Sequence, residues 1–189
     1  MNTTETIHRF SIKEYHQLIE SNILHEDDRV ELIEGRIVDM VPVGSKHAAS
    51  VGRLNRIFTL QLQTSVIVQV QNPVQLLNQS ELQPDIVLLK NRDDFYAERL
   101  PTADDILLVI EVADSSLEYD RETKIPLYAK AHIPEVWLVN LRENIIDIYS
   151  DPSSEGYHVI TKCRGSQTVT PQNFPDIKIV VSDIFGQSS

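Results

Sequence analysis

Cysteine is almost missing from this chain: Cys163 is the only one in 189 residues. An internal disulfide is therefore impossible, and a reducing, cytoplasmic setting is expected. Cys163 itself reads as a small strand residue. Long apolar runs are missing as well. None approaches the ~20 residues that cross a bilayer, so no transmembrane segment and no membrane partner are expected. The opening stretch MNTTETIHRF has no basic region followed by an apolar one, so no secretory signal is expected. Basic residues are few, 17 Lys and Arg against 28 Asp and Glu, for a formal net charge of -11. Nucleic acid repels such a chain at long range, which counts against a protein that scans DNA. A local basic groove, or a metal that offsets an acidic site, stays compatible with that balance. There is no basic tract, zinc-finger spacing or recognition-helix signature to fix a DNA sequence. No linker or internal repeat breaks the chain, and 41 % of it is apolar. Residues 1–189 are expected to form a single domain.

What is present centres on ILLVIEVADSS. Ile106–Ile110 reads as a strand buried on both faces, with Glu111 directly after it. A carboxylate there is expensive unless something pairs with it or binds it. A second stretch, LQPDIVLL, mirrors the first, with Asp85 directly before the run Ile86–Leu89. Pro84 is harmless at a strand start, where its missing donor is not needed. If the two strands are antiparallel neighbours, the start of one lies beside the end of the other, and Asp85 meets Glu111. Carboxylates that close raise each other's pKa unless a cation sits between them. A divalent metal is the natural cation, and oxygen donors favour magnesium, manganese or calcium over zinc.

The remaining elements follow in order. Phe10–Ser21 predicts a helix, with Ser11 and Glu14 at capping-box spacing and Phe10 and Tyr15 as a hydrophobic staple. Arg29–Val41 reads as a hairpin turning at Glu34-Gly35. Alternation puts Glu31 and Ile33 on one face and Leu32 on the other, so that Glu31 and Glu34 read as surface carboxylates on pattern alone. Gly44–Ser45 opens a helix to about Ser65, with His47 in its first turn as either a surface histidine or a site residue. Arg53 and Arg56 on it could supply local positive charge. Val66–Gln71 and Val74–Asn78 read as strands, and Asn91–Asp105 as a polar connection. The next helix reads from about Tyr119 or Asp120 to Ala131, and Pro126 moves its expected start towards Arg121–Lys124. Lys124 is then either a solvated lysine or a charge beside the acidic pair. Glu135–Asn140, Ile145–Ser150, Tyr157–Cys163, Thr168–Thr170 and Ile177–Val181 read as strands, and Ser182–Phe185 as a terminal turn. Exposed-looking edges in this strand-rich half suit a homodimer.

A carboxylate pair that holds a metal, with a lysine close by, is a minimal set for phosphodiester hydrolysis. The order VELIEGRIV, His47 opening a helix, QPDIVLL, VIEVADSS and DRETKIPLYAKAHIPEVWLVN resembles the Uma-two family of bacterial restriction-endonuclease-like proteins, within the PD-(D/E)xK nuclease superfamily. The resemblance runs from about Phe10 to Phe185. It implies an α/β chain, in detail an α+β mixed sheet, with a restriction-endonuclease-like core flanked by helices. It implies a Mg2+- or Mn2+-dependent endonuclease acting on DNA, with RNA left open. Pro84-Asp85 matches the PD element and Glu111 the second acid; the backbone carbonyl of Val112 would be a further metal ligand. The superfamily's lysine belongs two residues after that acid, where this chain has Ala113. Lys124, in the following helix, matches a lysine that substitutes for it. Glu31 matches an acid contributed by an earlier element, and His47 a histidine common in the family. The competing expectation is a catalytically inactive nuclease-fold module that binds or regulates as a homodimer.

Overall fold

A computed structural model describes residues 6–25 and 27–186. The first half of the stretch read for a secretory signal lies outside them. The first helix, α1 (Ile12–Glu20), has the expected start: Ser11 accepts from the Glu14 N–H while the Glu14 carboxylate accepts from the Ser11 N–H. Next come β1 (Val30–Ile33) and β2 (Arg36–Asp39), the expected hairpin. Its turn residues Glu34 and Gly35 both have positive φ, 47° and 75°, the handedness that a two-residue hairpin requires.

Helix α2 (Ser45–Leu62) is followed by β3 (Val66–Val70), β4 (Val74–Leu76), β5 (Ser80–Leu82) and β6 (Ile86–Lys90). The sequence reading lacked β5. Its three residues, Ser80-Glu81-Leu82, carry no alternation of their own, and it forms because β1 and β4 flank it. Then come β7 (Ile106–Ala113), α3 (Leu117–Tyr119), a π turn (Asp120–Lys124) and α4 (Ile125–Lys130). The helix thus begins at Leu117, earlier than Pro126 suggested. The Ile125 N–H reaches five residues back to the Asp120 carbonyl. A widened turn just before Pro126 absorbs the missing N–H without ending the helix. The chain closes with β8 (Glu135–Asn140), β9 (Ile145–Ser153), β10 (Gly156–Arg164), β11 (Thr168–Val169), β12 (Ile179–Val180) and α5 (Val181–Phe185), where a turn was expected.

Six strands form the main sheet in the order β10-β9-β8-β7-β6-β3. Only β7 and β8 run parallel; the other neighbours are antiparallel. The α3–α4 helix is the crossover that this one parallel pair needs. A second sheet has the order β2-β1-β5-β4. One face of the main sheet packs on α2, α5 and β12 through Val51, Leu54, Phe58, Trp137 and Ile184. The other packs on α4 and the small sheet through Val87, Val109, Tyr128, Ile33 and Leu82. Beyond the small sheet, Tyr15 of α1 covers Val30 and Leu32.

β1 is therefore covered on both sides, and this overturns one expectation. The alternation is as read, with Ile33 in the main core and Leu32 under α1, but Glu31 is buried. Only Glu34 is a surface carboxylate. Gly35 fixes how this strand enters. Its carbonyl accepts from the Phe10 N–H at 2.9 Å, and a Cβ there would lie 2.7 Å from Arg9 Cβ. Gly35→Ala combines that clash with a positive φ. It is expected to destabilise the protein by more than about 1 kcal/mol in urea titration; unchanged stability would refute this account of the hairpin.

Candidate active site

The register of β6 against β7 decides what meets at the sheet's end. Ile86 faces Ile110 and Val87 faces Val109. One position outward on each strand stand Asp85 and Glu111, side by side. Parity matters as well. Val87 and Val109 point into the core under α4, while Ile86 and Ile110 point the opposite way. Glu111, two residues from Val109, shares the α4 side. It does not end its strand as expected: β7 continues to Ala113, and Glu111 is paired beside Leu138 of β8.

Asp85 is buried and accepts from three directions. The Val112 N–H donates to Oδ2 at 2.9 Å, and Gln71 Nε2 donates to Oδ1 at 3.0 Å. His47 Nε2 lies 2.9 Å from Oδ2. The histidine reaches the sheet from the first turn of α2, so it is part of the cluster and not a surface residue. Its Nδ1 is buried and has no partner among the described residues. Burial alone would lower the imidazole pKa; the hydrogen bond and charge of Asp85, with Asp120, outweigh it and raise it.

Lys124 and Glu31 complete the pattern. Lys124, on the π turn, is buried with its Nζ 3.0 Å from Glu31 Oε1 and 3.4 Å from Glu111 Oε1. The solvated alternative is thereby corrected. Glu31 Oε1 also accepts from the Gln83 N–H at 2.7 Å, and Tyr128 donates to Glu111 Oε1 at 2.6 Å. Burial would strip the proton from Lys124, but Glu111, Glu31 and Asp120 hold it on, and its pKa is raised. Burial pushes the Glu111 carboxyl up to about 8; Lys124 opposes this, and Asp120, Asp85 and Glu31 add to it. Lys124 thus stays a cation, and Glu111 is the carboxyl that yields to protonation.

The sequence reading missed Asp120 and Tyr128. Asp120 is buried, accepts from Ser116 Oγ at 2.7 Å and has its pKa raised, chiefly by burial. A signal existed: Asp120, Lys124 and Tyr128 recur every four residues, which is one face of a helix. Arg53 does not serve the site. It donates to the Ile184 carbonyl instead, and neither it nor Arg56 lines the cleft.

These groups line a cleft of about 300 Å³ that includes Glu31, His47, Asp85, Glu111, Val112, Asp120 and Lys124. With Asp39 and Arg29 also in its lining, five carboxylates share the cleft with one lysine, one arginine and one histidine. Among the described residues no three His, Cys, Asp or Glu side chains stand as a finished ligand set for a metal. Asp85, Glu111 and Val112 all line the cleft, and carboxylate and carbonyl oxygens suit a hard divalent ion that keeps several waters.

A family model described as "Putative restriction endonuclease", Uma2, matches residues 12–182. The chain belongs to the Uma2 family. A crystal structure described as a "putative nuclease belonging to DUF820", from Anabaena variabilis ATCC 29413, superimposes with a TM-score of 0.72. It is 18% identical in sequence, and the match covers 90% of this chain and 97% of that one. At that identity the likeness speaks for the fold: this Uma2 chain shares the mixed-sheet architecture of that protein. Comparison with curated proteins gives no match. Among the described residues no helix of the Uma2 chain is long and apolar enough to cross a membrane.

Proposed function

We propose that this chain is a metal-dependent endonuclease that hydrolyses phosphodiester bonds of DNA, as one domain of the PD-(D/E)xK type. The observation that carries the reading is Asp85 and Glu111 side by side on antiparallel strands, with Lys124 Nζ 3.4 Å from Glu111. Asp85, Glu111 and the Val112 carbonyl would hold Mg2+ or Mn2+, which when bound supplies a Lewis acid to the phosphoryl oxygen and acidifies a water. The chain's own groups do the rest. Lys124, kept protonated by Glu111 and Glu31, would take the part of the superfamily's lysine from the following helix. Its ammonium can stabilise the negative charge that grows as water adds to phosphorus and the ester oxygen leaves. Glu31 and Tyr128 are positioning residues, one holding Lys124 and the other orienting Glu111. His47 and Gln71 hold the Asp85 carboxylate in place. A homodimer would bring two such clefts together. The outer edge of β10, where Val159 and Ile160 are exposed, is a surface that could join them.

Calorimetry with Mn2+, beside DNA cleavage assays with and without chelator, tests the reading. Binding is expected to release protons, because Glu111 must lose the one that its raised pKa retains. Affinity should rise with pH by up to about tenfold per unit and level off near pH 8. Cleavage that survives chelator would sink the mechanism. Two observations favour the inactive module: Ala113 stands where the superfamily's lysine belongs, and the net charge is -11. No Mn2+ binding at millimolar concentration would choose that module.

A further inference from the structure

One wall of the cleft has no part in holding a metal. Tyr119, the last residue of α3, lines the cleft and is 38 % exposed. Met40, Val41 and Val43 line the same cleft from the β2–α2 connection, and both valines are exposed to solvent. Tyr119 differs from the other tyrosines. Tyr15, Tyr96, Tyr128 and Tyr157 donate their hydroxyls to protein acceptors, and Tyr149 meets Arg121. Tyr119 has no such partner among the described residues. An apolar lip with an uncommitted aromatic ring, placed within one residue of Asp120, is a stacking surface beside the acidic cluster.

The charges decide what can stack there. Arg29 lines the cleft together with Asp39, Arg36 lies near enough to act on the Tyr119 hydroxyl, and Lys46 lines a neighbouring hollow with His47, Asp114 and Ser116. None of the three forms an ion pair among the described residues. Three cations can neutralise about three phosphates, against the roughly 6–10 that a duplex footprint engages. The net charge of -11 opposes any longer track. Unpaired bases need fewer phosphate contacts, because stacking supplies much of the affinity.

We propose that the cleft takes an unpaired stretch of DNA, with one base stacked on Tyr119 against the apolar lip and its flanking phosphates held by Arg29, Arg36 and Lys46. This rests on the nuclease reading of the same site and narrows its substrate to single strands.

Fluorescence anisotropy with a labelled oligothymidylate of about ten nucleotides, in Ca2+, tests it without requiring cleavage. The single strand should bind more tightly than a duplex of equal length. Tyr119→Ala and Tyr119→Leu should each weaken binding roughly tenfold or more, while Tyr119→Phe binds like the parent. Phe95→Ala, which removes a more exposed ring outside the cleft, should change nothing. The slope of log K against log salt should be about −2. Absence of single-strand binding, equal or tighter duplex binding, indifference to Tyr119→Leu, or a slope steeper than about −5 would each overturn the proposal. A cleavage arm in Mg2+ keeps the two readings apart. Asp85-dependent cutting of duplex that ignores Tyr119 sinks the stacking role and leaves the nuclease. Tyr119-dependent binding with no Asp85-dependent cutting does the reverse.

Discussion

Asp85→Ala is expected to lower metal-stimulated DNA cleavage by at least about 10²-fold. No other side chain in the cleft is held by so many donors: a backbone N–H from β7, an amide from beyond β3 and an imidazole from α2 converge on it. Removing the carboxylate takes away one of the two acids proposed to hold the ion. It also releases His47 and Gln71 from the geometry they share. Asp85→Asn separates these effects. The amide keeps the bulk and one acceptor oxygen, so folding should survive while Mn2+ affinity and cleavage fall together. Glu34→Gln, an exposed acid paired with Lys130 on the surface, should leave both unchanged. An Asp85→Asn protein that cuts at the parental rate would remove the basis for the proposed mechanism.

Lys124→Met carries the second large expectation, in stability. The lysine is the one ammonium placed among Glu31, Glu111 and Asp120. Methionine has similar length and no charge, so the acids would remain buried without a counter-ion. Breaking a buried pair in this way destabilises by about 3–5 kcal/mol. The sign of the pH dependence follows from the direction of the carboxyl shifts. Glu111 is pushed above its ordinary value to about 8 even beside Lys124, and Asp120 is raised too. A carboxyl whose folded pKa exceeds its unfolded one binds more protons in the folded state. Its contribution is fully present below the unfolded pKa and is lost as pH rises through the folded one. Urea titrations should therefore show a small deficit for Lys124→Met near pH 5 and the full deficit at pH 8 and above. Mn2+ should restore more stability to the variant than to the parent, because the ion takes over the charge that lysine supplied. A deficit that does not change with pH would mean that Lys124 contributes packing and not charge.

Legibility in the sequence followed the range of each signal. The Ser11–Glu14 capping box, the Glu34-Gly35 turn and the apolar runs of β6 and β7 are local and were read correctly. β5 was not, because three residues carry no period of their own. The π turn was not, because Pro126 argues for a helix start and only the tertiary context keeps three earlier residues helical. For the cluster, Asp85 and Glu111 were legible as carboxylates beside buried strands, and the resemblance drew attention to Glu31, His47 and Lys124. Asp120 and Tyr128 were written in plain four-residue spacing with Lys124 and were overlooked, since a lone acid on a helix usually faces solvent.

The sequence alone determined the family, the order of most elements and the two strand-edge carboxylates, because each is carried by neighbours along the chain. Only the tertiary structure decided that Glu31 is buried, since a strand's alternation says which residues share a face and not whether both faces are covered. It alone decided that His47 and Lys124 join the acids, since α2 and the π turn meet the end of the sheet through packing that no short-range pattern records. And it alone set Asp85 beside Glu111: a shift of one residue between β6 and β7 would have sent one carboxylate to the opposite face, and the core on either side of the sheet fixes that register.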